Sequence, residues 1–449
     1  MRTTSHEVTK FTMLQEIVTA RQASAGLKTL AIASGQTKNM STPQRATAAV
    51  AAPALAGFSV GYAAWLDLIR GAMALVVLAH HVAILALGVP EHADAISYAE
   101  WYQQAMVLFA NAGHGAVMVF FVLSGFLVGG PMLARERAGS FCWRRYLAAR
   151  MARILPVSLL ATLTALMAAW AIGALQAGDP VLFRADFYWG MATADAFEPL
   201  RVLAHLFLLQ PFTELMPTNA PLWSLPNEWW YYLVFPCLVI GVGRRRVGWL
   251  LLALLAGWLM LRTRQHWMFV GRFGVWMLGA FAHAAVLRLA ALPAVRSRGY
   301  WSTLIGGTAV LLAAGLAWLP ARWEDGYLRT DLLTGLGTTL VLLLLARFGR
   351  PLWTPVAHAA ERLASVSFSV YAFHVPLLLV LLTAVGYGDR YVEFDAAGVA
   401  FGFSLMGVLI AACLGFWAIG ERHTPRLRVW LEGRLERLST RMRASLARG

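Results

Sequence analysis

"LDLIRGAMALVVLAHHVAILALG", Leu66 to Gly88, decides the architecture of this chain. A run of this length crosses the hydrocarbon core of a bilayer as one helix, which takes about twenty residues at about 1.5 Å each. It nevertheless carries Arg70 near its start and His80 and His81 near its end. Ionisable groups inside a membrane helix are costly and face a bundle interior or a cavity. Similar apolar runs recur along the chain, which is 59% hydrophobic and only 14% charged. A soluble domain could not solvate that much apolar surface. The sequence therefore reads as an all-α integral membrane protein, a bundle of about ten transmembrane helices.

The spans fall near 66–88, 114–133, 151–176, 222–243, 247–263, 267–287, 300–319, 330–347, 366–386 and 397–419. Alternate loops are basic, with Arg135, Arg137, Arg144 and Arg145 in one and Arg244 to Arg246 in another. The intervening loops are acidic or mixed. By the positive-inside rule the basic loops and both termini are cytoplasmic, in a multi-pass protein of the cell (inner or plasma) membrane. Arg262 and Arg264 are the exception to this count. The net charge of +15 is thus an orientation signal, and no nucleic-acid partner is expected. Residues 201–220 begin apolar but are too short to span, and they read as a re-entrant or interfacial segment.

Residues 1–60 are rich in Ser, Thr and Ala and hold all three lysines, Lys10, Lys28 and Lys38. No apolar segment follows a charged start there, so the expectation is a flexible cytoplasmic extension. Residues 61–420 form the transmembrane domain. Residues 421–449 are a basic cytoplasmic tail, able to lie on an anionic leaflet as an amphipathic helix. Cys142, Cys237 and Cys413 make no CxxC pair and no metal spacing, so no metal is expected.

Arg70 and His81 are eleven residues apart, which returns them to one helix face about 16 Å apart along the axis. His80 points elsewhere. Arg70 alone also reads as a snorkelling anchor, and His81 as a buried histidine bonded to a carbonyl. In "PLWSLPNEWWYYLVFP", Pro221 to Pro236, Glu228 lies about two turns into its span. Helix rise puts His81 and Glu228 at the same height, about 22 Å above the inner edge. They could meet as a carboxylate–imidazole pair or serve as a polar clamp between helices. Arg150 and Arg153 share a face in "FCWRRYLAARMARILP", Phe141 to Pro156. They suit membrane anchoring and also phosphate binding. Ser124 and Gly125, in "VFFVLSGFLVGG", are small residues where helices approach closely. No GxSxG surrounds Ser124, which weakens a serine-hydrolase reading. His374, in "SVSFSVYAFHVP", lies near mid-span.

Taken in order, these stretches resemble the acyltransferase family 3 of membrane O-acyltransferases. "LDLIRGAMALVVLAHH" is similar to the family's Arg-Gly motif with a His eleven residues beyond the Arg, which selects His81. "VFFVLSGFLV" resembles FFxLSGFL, and "RRYLAARMARILP" carries the family's arginine pair and proline. "PLWSLPNEWWYYLVFP" is similar to WSLxxE, "SVSFSVYAFHVP" to ISYSLYxxHxP, and "ERHTPR" more loosely to the Glu and Pro after the last span. The resemblance covers roughly residues 62–430. Trp229 and Met118 stand where the family often has acidic or polar residues.

The resemblance implies transfer of a short acyl group, by default acetyl, from cytoplasmic acyl-CoA to a sugar hydroxyl of a surface polysaccharide or glycoconjugate. An exopolysaccharide is one such acceptor. His81 and Glu228 would be catalytic. Arg70, Arg150, Arg153 and Ser124 would hold the donor, and Trp223, Ser224, Tyr232 and His374 would line the acceptor site. Acylation of a lipid or a small secreted natural product is the variant reading. A proton-coupled transporter is the rival from another class, since relays also use intramembrane Arg, His and Glu. The two halves of the chain show no inverted repeat to support it.

Overall fold

The apolar runs become helices because a backbone in lipid must satisfy its hydrogen bonds internally. The computed structural model describes residues 60–90, 93–176, 193–263, 266–292 and 328–446. The extension expected at 1–60, apart from Val60, and the span expected at 300–319 lie outside the described residues. In chain order the helices are α1 (Val60–Leu85), α2 (Trp101–Ser124), α3 (Gly130–Arg137), α4 (Trp143–Leu175) and α5 (Pro199–Leu206). They continue with α6 (Ser224–Gly243), α7 (Val247–Leu261), α8 (His266–Ala290) and α9 (Leu328–Phe348). The last are α10 (Thr354–Ala384), α11 (Ala396–Ile419) and α12 (Thr424–Leu446). Among the described residues there is no strand, and seven helical stretches are long and apolar enough to cross a membrane. The shorter α7 is also apolar.

Several helices outrun their apolar cores. The second expected span starts at Trp101 rather than 114, the third at Trp143 rather than 151, and the ninth at Thr354 rather than 366. Polar first turns keep helical hydrogen bonds in water or headgroups, where hydropathy gives no signal. Residues 201–220 do not span. They form the short α5 and the tight turns Gln210–Phe212 and Ala220–Trp223. Glu198 caps α5 by accepting the Arg201 N–H. The tail helix α12 packs along α4.

The centre of the bundle is α1, packed between α2 and α10. α2 runs into α3 through a π turn, Gly125–Gly129. Such turns are often found at functional sites. At this turn α2 touches the backbone of α8. A Cβ on Gly125 would collide with the Trp276 carbonyl, and one on Gly279 with the Val122 carbonyl. Two glycines facing each other let the helix axes approach and bring Trp276 to the end of α2.

Candidate active site

His374 comes from the middle of α10. Its Nδ1 lies 2.8 Å from the Val370 carbonyl and 2.9 Å from that of Tyr371. Carbonyls only accept, so Nδ1 carries the proton and Nε2 a lone pair. That Nε2 is 3.1 Å from Nδ1 of His81, which is also 2.9 Å from the Val77 carbonyl. His81 Nδ1 is therefore the donor, and Nε2 of His81 is the nitrogen with basic character. His80 turns to the other helix. Its Nδ1 donates to the Ala110 carbonyl at 2.6 Å, and Gly113 leaves room for its ring.

Glu228, on the second turn of α6, accepts from the Ser124 hydroxyl and from Tyr232 at 2.5 Å. Tyr232 is one turn further along α6, so the two side chains share a face. Trp276 Nε1 donates to Ser124 Oγ at 3.0 Å. The expected meeting of His81 and Glu228 is replaced by this arrangement: among the described residues the carboxylate bonds to Ser124 and Tyr232, and His374 holds the His81 tautomer. His80 meets Ala110 and Gly113 on α2, whereas Glu228 meets Ser124, about 16 Å further along that helix, so the expected common height is not kept. His374 on α10 reaches His81, while Tyr371, one turn back on the same helix, reaches Ser224 at 2.6 Å.

Trp223 enters a third grouping. The Arg272 guanidinium lies 4.3 Å from its ring centroid, and His114 is near-parallel to it at 5.9 Å. Asp331 joins these two, 2.6 Å from His114 Nε2 and 3.2 Å from Arg272 Nε. Arg272 and Asp331 are buried. Arg272 thus covers one face of the ring expected to meet the acceptor.

The arginines divide. Arg70 donates to the Ala364 carbonyl at 2.8 Å and lies 3.6 Å from Asp67. Arg153 lies over Phe368 and 3.7 Å from Glu421, which accepts from Ser369. Ala364 to Ser369 rises only about 7.5 Å along α10, so Arg70, Arg153 and Glu421 gather at one place. Arg150 instead lies 5.4 Å from the Tyr232 ring, beside Glu228's partner. It makes no ion pair among the described residues, and its buried Nε has no hydrogen-bond partner.

Every expected site residue thus belongs to one of these groupings. Sequence reasoning passed over Trp276, Tyr371, His114, Arg272 and Asp331. The last three carried a usable signal, because each is ionisable and sits on an apolar helix. Among the described residues no three His, Cys, Asp or Glu side chains form a metal-holding group.

The interior of this helical membrane protein thus carries a histidine pair, a bonded serine–carboxylate pair and clustered arginines. The chain belongs to the family described as the acyltransferase domain, type 3, which matches residues 63–419. It is 33% identical over 148 residues to the acyltransferase MdmB of Streptomyces mycarofaciens, covering 32% of this chain and 34% of that protein. It is 30% identical over 125 residues to an uncharacterized protein of Haemophilus influenzae, covering 27% of this chain and 47% of that one. The matches thus span about a third and about half of those relatives' lengths. No solved structure matches the chain.

Proposed function

We propose that this protein moves a short acyl group, acetyl by default, from cytoplasmic acyl-CoA to a sugar hydroxyl of a surface polysaccharide or glycoconjugate. The observation that carries the reading is the His81–His374 pair, 3.1 Å apart and buried. An alcohol is a poor nucleophile until a positioned base takes its proton. His81 Nε2 is that base, and His374 keeps the opposite nitrogen protonated. Arg70 and Arg153 meet the phosphates of the donor at the arginine-rich, cytoplasmic end, and Arg150 continues the positive path toward Glu228.

Support for a hydroxyl-rich acceptor comes from residues 199–223. Gln210 and Asn219 are buried there, at 2% and 1% exposure. Neither Gln210 side-chain atom has a hydrogen-bond partner, nor does Asn219 Oδ1. Asn219 is anchored by its Nδ2 to the Ala372 carbonyl, two residues from His374. A buried amide without partners costs stability, and vicinal hydroxyls supply both donors and acceptors.

The test is thiol release by the purified full chain in nanodiscs, given acetyl-CoA with and without a surface-glycan extract. Glycan-dependent release that disappears in His81→Ala supports the reading. Solute-driven flux without acyl-CoA turnover would replace it with a carrier.

A further inference from the structure

Ser124 is the last residue of α2, at the entry to the π turn. Its single hydroxyl proton points to the Glu228 carboxylate. Trp276 Nε1–H occupies one lone pair of Oγ at 3.0 Å, and Tyr232, 3.0 Å away, directs its own proton to Glu228. The second lone pair of Oγ is left for attack. Trp276 and Tyr232 are packed solid, while Ser124 and Glu228 keep partial exposure. The positioning groups are locked and the reactive atoms are reachable. Arg150, with no ion pair among the described residues, lies on the Tyr232 ring beside them. A hydroxyl bonded to a base that a third group orients is the pattern of an activated nucleophile.

We propose that Ser124 takes the acyl group from the donor as an oxygen ester and then passes it to the acceptor. The proposal rests on the acyl-CoA reading above. In the first half, Ser124 Oγ bonds to the thioester carbonyl carbon as its proton moves to Glu228. The C–S bond then breaks, and Glu228 returns the proton to the departing sulfur, leaving CoA thiol and acyl-Ser124. In the second half, the acceptor oxygen bonds to the ester carbonyl and its proton passes to a base. The C–Oγ bond breaks and Ser124 regains a proton. No oxidant or further reactant is needed. Glu228 serves the donor half.

A polar clamp tying α2, α6 and α8 together would share this geometry, so the experiment must read chemistry. The full chain in nanodiscs is given acetyl-CoA and isotope-labelled free CoA without acceptor. An acyl-enzyme exchanges label between the two, and direct transfer does not. Exchange is expected in the wild type, and acid-quenched protein is expected to carry one acetyl group on the peptide containing Ser124. Ser124→Ala should lower exchange by about 10³-fold or more, and Glu228→Gln by about 10²-fold. Ser124→Cys, which keeps a nucleophile, should retain the acetyl group as a hydroxylamine-labile thioester. Thermal unfolding of each variant controls for folding. Glycan-dependent CoA release without exchange, or acetyl found on His81 instead, overturns the proposal and leaves the acyl-CoA reading standing. Neither exchange, release nor CoA binding from folded wild type removes both.

Discussion

His374 Nε2 lies 3.1 Å from His81 Nδ1, and each ring also meets a carbonyl one turn back on its own helix. The two backbones therefore set the tautomers of both rings. The consequence is directional. His81→Ala should lower acyl transfer by about 10²–10⁴-fold, the usual worth of a general base. His374→Phe should cost less and should also displace the pH–rate profile of turnover, because it removes one of the two acceptors at the Nδ1 proton and leaves the Val77 carbonyl. Steady-state kinetics against pH check this. A profile unchanged in His374→Phe would reduce His374 to packing.

Arg153 and Arg70 gather where Glu421 already stands. If they hold donor phosphates, Arg153→Ala should raise the acyl-CoA KM about tenfold, the equivalent of about 1.4 kcal/mol, with kcat changed far less. Arg153→Lys should recover part of it, since an ammonium keeps the charge and loses the planar fork. Equal loss in kcat and none in KM would point to anchoring alone.

Asp331 is 1% exposed and holds both Arg272 and His114. Asp331→Asn leaves the buried guanidinium without its counter-charge. A loss of about 3–5 kcal/mol is expected, read as a lower unfolding midpoint in detergent. Replacing Arg272 and Asp331 together by Met and Leu should cost less than Asp331→Asn alone.

Gln210→Leu separates acceptor binding from folding. Removing a buried amide whose atoms have no partner should leave the unfolding midpoint unchanged or raise it. The acceptor KM should rise about tenfold, and the acyl-CoA KM should stay put. A lower midpoint with an unchanged acceptor KM would make Gln210 purely structural.

His205 gives the segment at 199–220 a pH dependence. Its Nδ1–H donates to the Arg201 carbonyl at 2.9 Å, and its Nε2 accepts the Met216 N–H at 3.1 Å. Both bonds together require the neutral ring. Burial pushes His205 down to about 4, opposed in part by the Arg201 carbonyl and reinforced by the Arg201 charge. Its contribution is thus fully present above about pH 6.5, the ordinary histidine value, and is lost as pH falls toward 4. Amide exchange at Met216 should accelerate over that window, beyond the intrinsic chemical rate, and His205→Gln should flatten the change.

The sequence by itself determined that the chain is helical and membrane-embedded, because run length and charge are local properties that lipid reads directly. It also singled out His81, Glu228, Ser124 and the arginines, since a charged or polar group on an apolar helix announces itself by its cost. Only the tertiary structure decided who meets whom. His81 was expected to find Glu228 at equal height, yet His374 meets His81 and Ser124, further along α2, meets Glu228. Trp276 reaches Ser124 only because Gly125 and Gly279, far apart in sequence, let two backbones touch. Rise per residue is encoded in each helix alone, whereas lateral neighbours follow from how side chains of all the helices fill the space between them.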